Sequence, residues 1–233
     1  YCDNAAFHPG YSVPGKSLHR QIDEGIEFHK LRYPRAQRYL AYFQAYSNTH
    51  GALEKLKKLY SEALSHPAIE GIVIGTRPDC IDDEKLDYLA ELKAAGHIVM
   101  MEYGIESCYD RTLKHINRGH DFECARLAVE KTAARGIEVC GHFILGLPGE
   151  TREMLLEQCK RINGIALNSV KFHQLQLVKG TKMLQESKEH PELFPDWSLD
   201  EYLDFVVDIL ERLRPNLLIE RVAGEVPPRF VEK

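Results

Sequence analysis

The sequence predicts an α/β protein with parallel strands, and two observations lead to this. Helical and strand-like hydrophobic patterns alternate from about Gly15 to the end of the chain. Each of six strand-like runs also follows a helical one. Strands joined through helices pair in parallel by right-handed crossovers, so the chain forms either a β/α barrel or an open doubly wound sheet. The residue pattern alone leaves both architectures open.

The first half of the chain contains three helix and strand pairs. Apolar residues at helical spacing, short apolar runs and a stop residue, Gly96, define them. The predicted order is a helix around 18–29, a strand at 38–44, a helix at 53–64, a strand at 69–76, a helix at 86–92 and a strand at 97–101.

The second half repeats the alternation. A helix around 125–129 stops at Gly136, and a strand at 137–145, a helix at 152–162 and a strand at 169–175 follow. An irregular stretch with Pro191 and Pro195 comes next, before a helix at 199–213 and a strand at 217–221.

Composition favours an ordinary globular protein, which we expect to form a single domain over residues 1–233. The chain is 44% hydrophobic and 28% charged, and no apolar run reaches the length of a membrane span. Its formal charge of -5 gives no strong signal for nucleic-acid binding. The first residues lack a basic and apolar leader, so the expected location is the cytoplasm.

The six cysteines do not form a disulfide scaffold, because such scaffolds are shorter and denser in cysteine. Cys2 stands near the start of the chain. The other five are expected to be reduced and to act as small buried hydrophobes: Cys80, Cys108, Cys124, Cys140 and Cys159.

Polar residues gather where the predicted strands end. In both architectures a ligand binds beyond the carboxyl ends of the strands. The polar ends are found in 44–49, 76–79, 102–107, 146–151, 174–176 and 221–225. The sequence therefore predicts a ligand site at this edge of the sheet.

Five of these segments together resemble the radical S-adenosylmethionine (SAM) superfamily, most closely a little-characterised bacterial branch. That branch is related to the catalytic subunit of Elongator and to oxygen-independent coproporphyrinogen oxidase. The segments that carry the resemblance are Tyr1-Cys2-Asp3-Asn4, Thr76-Arg77-Pro78-Asp79, Gly104-Ile105-Glu106-Ser107, His115-Ile116-Asn117-Arg118-Gly119-His120 and Gly146-Leu147-Pro148-Gly149-Glu150-Thr151. The resemblance implies a partial (β/α)6 TIM-like barrel that lacks its first strand and most of the cluster loop.

The resemblance implies two cofactors, a 4Fe-4S cluster and SAM. In the family three loop cysteines bind the cluster, and Tyr1-Cys2 matches the end of that loop, so Cys2 is the expected metal ligand. The other two cysteines are absent, and we expect a chain truncated at its N-terminus, and also open to extension at its C-terminus, that holds the cluster poorly or not at all. The enzyme would then be the longer parent protein, served by an electron donor such as a flavodoxin or ferredoxin.

The resemblance also implies the residues that contact SAM. Tyr1 would lie near the adenine, and Glu106, in the turn that Gly104 opens, would bind the ribose hydroxyls. Arg118 would pair with the SAM carboxylate. The alternatives are a carboxylate at a helix start for Glu106 and a surface ion pair for Arg118.

The family's usual Gly-Gly-Glu segment is replaced here by Phe43-Gln44-Ala45-Tyr46-Ser47. Gln44 and Ser47 are the residues expected to bind the SAM ammonium group.

Other polar residues are candidates for substrate contact. His142 and His173 are predicted near the ends of adjacent strands, facing the barrel interior, and Gln174, Gln176 and Arg221 are similar candidates. The glycine-rich segment 146–151 is either a close ligand contact or a tight turn. The substrate, a small molecule or an RNA base, is not identified by these residues.

Two other functions remain open from the residues. One is a conventional β/α-barrel lyase or hydrolase with Asp79, Glu102 and Glu106 as acid and base at strand ends. The other is a non-catalytic SAM-binding or nucleotide-binding module in which Cys2 is incidental.

Overall fold

A computed structural model describes residues 15–44, 46–224 and 226–231. The described residues form eight α-helices and six β-strands. In chain order these are α1 (Leu18–Arg32), β1 (Tyr39–Phe43), α2 (Leu53–Leu64), β2 (Ile69–Thr76), α3 (Asp83–Ala94), β3 (Ile98–Glu106), α4 (Asp110–His115), α5 (Phe122–Ala134), β4 (Glu138–Leu145), α6 (Arg152–Asn163), β5 (Ser169–Gln174), α7 (Lys182–Glu189), α8 (Leu199–Arg212) and β6 (Leu218–Arg221).

The order of the strands decides between the two predicted architectures. Neighbours in the sheet follow the chain order from β1 to β6, and every pair is parallel. A doubly wound sheet reverses its strand order at a switch point, whereas a barrel adds each strand on the same side. The sheet is therefore a curled half-barrel, and the predicted partial (β/α)6 barrel is confirmed.

The hydrophobic core lies between the convex face of the sheet and the helices. Alternate residues of strands β1 to β5 enter it, such as Ile72 and Ile74 of β2, and Met101 and Tyr103 of β3. Helices α2, α3, α5 and α6 supply the opposing side chains. Because the core occupies one face, the residues between these positions point to the concave face.

The ends of several helices follow from local sequence signals. Gly96 and Gly136 adopt φ values of +99° and +69° just after α3 and α5, so the predicted stop residues are confirmed. Asp82 and Asp121 accept hydrogen bonds from the first turns of α3 and α5.

Three elements differ from the sequence prediction. Strand β3 continues to Glu106, five residues beyond the predicted end, because Glu102 and Gly104 face the concave side and interrupt the apolar run. The short helix α4 is too polar to show a hydrophobic period. Helix α7 lies in the stretch predicted to be irregular, where Thr181 caps it before Pro191.

No helix among the described residues is long and apolar enough to cross a bilayer.

Candidate functional site

The concave face of the half-barrel presents a row of polar positions on adjacent strands. In the pairing of β3, β4, β5 and β6, Gly104 lies opposite His142, His142 opposite Lys171, and Lys171 opposite Arg221. Parallel strands in register bring residues from distant parts of the chain side by side. The row ends near the carboxyl edge of the sheet, where the sequence predicts a ligand site.

Glu106 and Arg118 form an ion pair over Gly104. Arg118 Nη2 lies 3.1 Å from Glu106 Oε1 and donates a 2.6 Å hydrogen bond to the Gly104 carbonyl. Both side chains are about four-fifths covered. A Cβ at position 104 would lie 2.4 Å from Arg118 Nη2 and 2.5 Å from Glu106 Oε1, so only glycine leaves room for the pair.

A bulge in β3 aims Glu106 at this position. The pairing with β4 shifts between Gly104 and Glu106, and Glu106 has a φ of +70°, which is unusual for a residue other than glycine. The structure thus brings together three residues predicted from the sequence: Gly104, Glu106 and Arg118.

Below this turn, Ser107 is held by a buried carboxyl group. Ser107 Oγ donates a 2.5 Å hydrogen bond to Glu150 Oε1 and accepts one from the Tyr109 amide. Burial raises the pKa of Glu150. Glu150 Oε2 has no hydrogen-bond partner within the described residues.

Gln44 and Ser47 follow β1, two strands from Glu106, and Gln44 is exposed. The loop is fixed by Asn48, whose side-chain amide donates to the carbonyls of Phe43 and Gly75 at 2.9 Å. The sequence does not predict these hydrogen bonds of Asn48, because Gly75 on β2 lies 27 residues further along the chain.

Three polar side chains of the concave face form hydrogen bonds with Glu102. Tyr42 and His142 lie 2.7 Å and 2.8 Å from its Oε2, and Lys171 donates a 2.6 Å hydrogen bond to Oε1. Lys171 also lies 3.3 Å from Glu220. Glu102 was predicted at a strand end, which is wrong: it lies in the middle of β3 and is 3% exposed.

Burial and hydrogen bonding oppose each other at Glu102. Burial by itself would raise the pKa of Glu102, but the contacts with His142 and Lys171 outweigh it and lower the pKa to about 2. Lys171 responds in the opposite sense: burial would lower its pKa, whereas the bond to Glu102 raises it. Glu102 is therefore a carboxylate at any physiological pH.

His142 and His173 face each other with ring centroids 5.6 Å apart. Burial, aided by the nearby His142 and Arg221, lowers the pKa of His173 to about 4. A Cβ on Gly224 would lie 2.4 Å from His173 Nδ1, so this glycine admits the ring.

Gln174 is already engaged with the protein. Its amide donates to the Gly224 carbonyl at 2.7 Å, and its oxygen accepts from the Gly224 amide at 2.8 Å. Gln174 thus ties the loop after β6 to β5. Arg221, at the end of β6, is exposed.

The glycine-rich segment after β4 is a turn packed against protein. Gly146 has a φ of +90°, and a Cβ there would lie 3.0 Å from Pro195. Thr151 caps α6 by accepting from the Met154 amide.

Asp79 pairs with Arg77 at 2.5 Å at the end of β2, separate from Glu102. Tyr1 and Cys2 lie outside the described residues. The five described cysteines are free thiols, three of them buried, and the described part of the chain contains no group of three or more side chains arranged to hold a metal ion.

Two family models match the chain. Residues 1–162 match the radical SAM superfamily, and residues 167–231 match the radical SAM C-terminal domain.

Relatives among known proteins are similar over most of this chain. Protein YhcC of Escherichia coli K12 is 42% identical over 224 residues, which cover 96% of this chain and 70% of that protein. Uncharacterized protein YtqA of Bacillus subtilis 168 is 39% identical over 190 residues, 82% of this chain and 58% of that protein. The chain thus spans 58% to 70% of the length of these two relatives.

Solved structures share the fold at low identity. Elp3 of the archaeon Methanocaldococcus infernus, with an N-terminal deletion, has a TM-score of 0.76 at 18% identity and is matched over 91% of this chain and 54% of that one. Coproporphyrinogen III oxidase (HemN) of Escherichia coli has a TM-score of 0.57 at 16% identity, over 88% of this chain and 48% of that one.

Proposed function

Because this chain belongs to the radical SAM superfamily, we propose that it is the core of an enzyme that binds a 4Fe-4S cluster and SAM and modifies a substrate by radical chemistry. When bound, the reduced cluster and SAM supply a 5′-deoxyadenosyl radical that abstracts a hydrogen atom from the substrate. The substrate is a small molecule or an RNA base, and a flavodoxin or ferredoxin is the electron donor.

One observation carries this proposal: the Glu106 and Arg118 pair over Gly104 at the carboxyl end of β3. Glu106 offers a carboxylate for the ribose hydroxyls of SAM. Nη2 of Arg118 contacts Gly104 and Glu106, and its Nε donates a hydrogen bond to His120. Nη1 has no hydrogen-bond partner among the described residues, so it is available to bind the SAM carboxylate. The missing Cβ of Gly104 supplies the space.

The remaining contacts in the proposal come from the resemblance. Gln44 and Ser47 bind the SAM ammonium group, and Tyr1 lies against the adenine. Cys2 is one ligand of the cluster, and the other ligands are cysteines of the longer parent protein. Within this proposal, residues 1–233 act as a single domain.

The test uses the full-length parent protein, reconstituted with iron and sulfide without air. We expect 5′-deoxyadenosine to form from SAM under dithionite, as measured by liquid chromatography. Cys2→Ser should abolish it, and Glu106→Gln should lower it at least about tenfold, the effect of losing one charge-assisted contact. Glu70→Gln is the matched control, because Glu70 pairs with Arg38 at the opposite end of β2.

The outcome separates the alternatives. Absence of 5′-deoxyadenosine in the reconstituted wild type would refute the radical function. SAM binding that persists unchanged in Cys2→Ser, with no cleavage in either protein, would point to a binding module instead.

A further inference from the structure

The carboxylate of Glu102 holds His142 in one orientation. Glu102 is ionised, and an ionised carboxylate only accepts hydrogen bonds. His142 Nε2, 2.8 Å from Glu102 Oε2, must therefore carry the proton of that bond. In the neutral ring the lone pair is then on Nδ1, which has no hydrogen-bond partner among the described residues.

The ring lies beside the proposed SAM position. His142 pairs with Gly104 in the sheet, and its side chain remains 21% exposed on the concave face. A hydrogen atom abstracted from a substrate held there would leave a radical next to His142 Nδ1.

The other charged and titratable groups around His142 leave it as the proton acceptor. Tyr42 of β1 and Lys171 of β5 share Glu102 of β3 with His142. His173 of β5 faces its ring, and Arg221 of β6 lies near His173. The low pKa of His173, about 4, keeps that ring neutral. Of the two histidines, only His142 forms a hydrogen bond with Glu102.

We propose that Glu102 and His142 form a carboxylate and histidine dyad in which Nδ1 of His142 accepts a proton from the substrate. This rests on the proposed function and narrows its substrate to one with an O–H or N–H group on the carbon that loses hydrogen. Abstraction of hydrogen from such a carbon acidifies that group. The proton moves to Nδ1, its bonding electron pair stays on the oxygen or nitrogen, and the unpaired electron stays on the substrate. Glu102 is a positioning residue that stabilises the imidazolium.

Diethyl pyrocarbonate tests the dyad without a known substrate, because it acylates imidazole only at an unprotonated nitrogen. The rate at which each histidine of the reconstituted protein reacts is followed by peptide mass spectrometry at pH 8. We expect His142 to react, because its Nδ1 has no hydrogen-bond partner among the described residues. Exposed His190 is the internal reference for reagent activity.

Three variants separate the contributions. Glu102→Gln removes the carboxylate that polarises the Nε2–H bond and makes Nδ1 more nucleophilic, so the acylation rate of His142 should fall at least about threefold. Tyr42→Phe removes a competing donor from the same oxygen, so the rate should rise. Glu220→Gln removes a carboxylate that contacts Lys171 and Ser169 but not His142, so the rate should change by less than about 1.5-fold.

An unreactive His142, or equal acylation rates in wild type, Glu102→Gln and Tyr42→Phe, would overturn the dyad. Tyr42→Phe changes a partly exposed side chain, so the sign test survives if Glu102→Gln does not fold. The measurement needs no SAM cleavage. Formation of 5′-deoxyadenosine with an unreactive His142 would leave the proposed function standing and refute the dyad. A reactive His142 without 5′-deoxyadenosine would refute the radical function and leave only the hydrogen bond between Glu102 and His142.

Discussion

Replacing Gly104 by alanine is expected to weaken SAM binding while leaving the fold nearly intact. The added methyl would lie 2.4 Å from Arg118 Nη2 and 2.5 Å from Glu106 Oε1. Ordinary van der Waals contact requires a displacement of about 1 Å. That displacement breaks the 2.6 Å hydrogen bond to the Gly104 carbonyl and separates the pair.

The magnitude follows from the contacts. One charge-assisted hydrogen bond contributes about 1.5–3 kcal/mol, so the Kd for SAM should rise roughly 10- to 150-fold. The backbone of Gly104 lies outside the left-handed region, and the clashing atoms are the ends of flexible side chains. Because the guanidinium can be solvated again, the free energy of unfolding should change by less than about 1 kcal/mol.

The assay is calorimetric titration with S-adenosylhomocysteine, an analogue that cannot be cleaved reductively, together with thermal melting. Gly164→Ala is the control, since that glycine follows α6, has no positive φ and meets no atom closer than 3.4 Å. Unchanged affinity in Gly104→Ala would refute the assignment of the pair to SAM. A loss of affinity that only parallels a large loss of stability would refute it equally.

Three further predictions concern stability. The pKa of Glu102 falls from 4.5 to about 2 on folding, so it contributes about 3 kcal/mol above pH 4.5 that is lost as the pH falls towards 2; Glu102→Gln should flatten this acid limb in urea melts. Burial raises the pKa of Glu150, so its ionisation disfavours the folded state as the pH rises; Glu150→Gln should stabilise the protein at pH 8 relative to pH 4, and an unchanged pH profile would contradict this. Gln174→Ala removes two hydrogen bonds to Gly224 and should lower the free energy of unfolding by about 1–2 kcal/mol, with faster amide exchange confined to the loop after β6.

The sequence predicts the helices and strands well because each of them depends on a local pattern of apolar and stop residues. The run Ile69–Thr76 is β2 residue for residue, and Gly96 ends a helix as its position predicts. The choice of a barrel over a doubly wound sheet depends on which strands are neighbours. That information is nonlocal, so only the resemblance supplied it before the structure.

The candidate site is likewise predicted from the sequence only in part. Glu106 and Arg118 lie twelve positions apart, and the resemblance to the family predicts that both bind SAM. The network around Glu102 joins Tyr42, His142 and Lys171, at separations of 60, 40 and 69 residues. No periodicity or spacing encodes such contacts, and the polar residues of β3 instead predict that the strand ends before them.

The position of the network around Glu102 supports the proposed dyad. Burying ions costs desolvation energy, and apolar residues of similar size often stabilise a fold as well or better. The apolar core of the described residues lies on the convex face, so Glu102 and Lys171 on the concave face are not part of it. Lys171 is in the register row of Gly104 and His142, and Glu102 lies two residues before Gly104 on β3, which places a fixed charge pattern beside the proposed SAM position. A buried, fully paired carboxylate next to a partly exposed histidine is the arrangement that the proposed proton transfer requires.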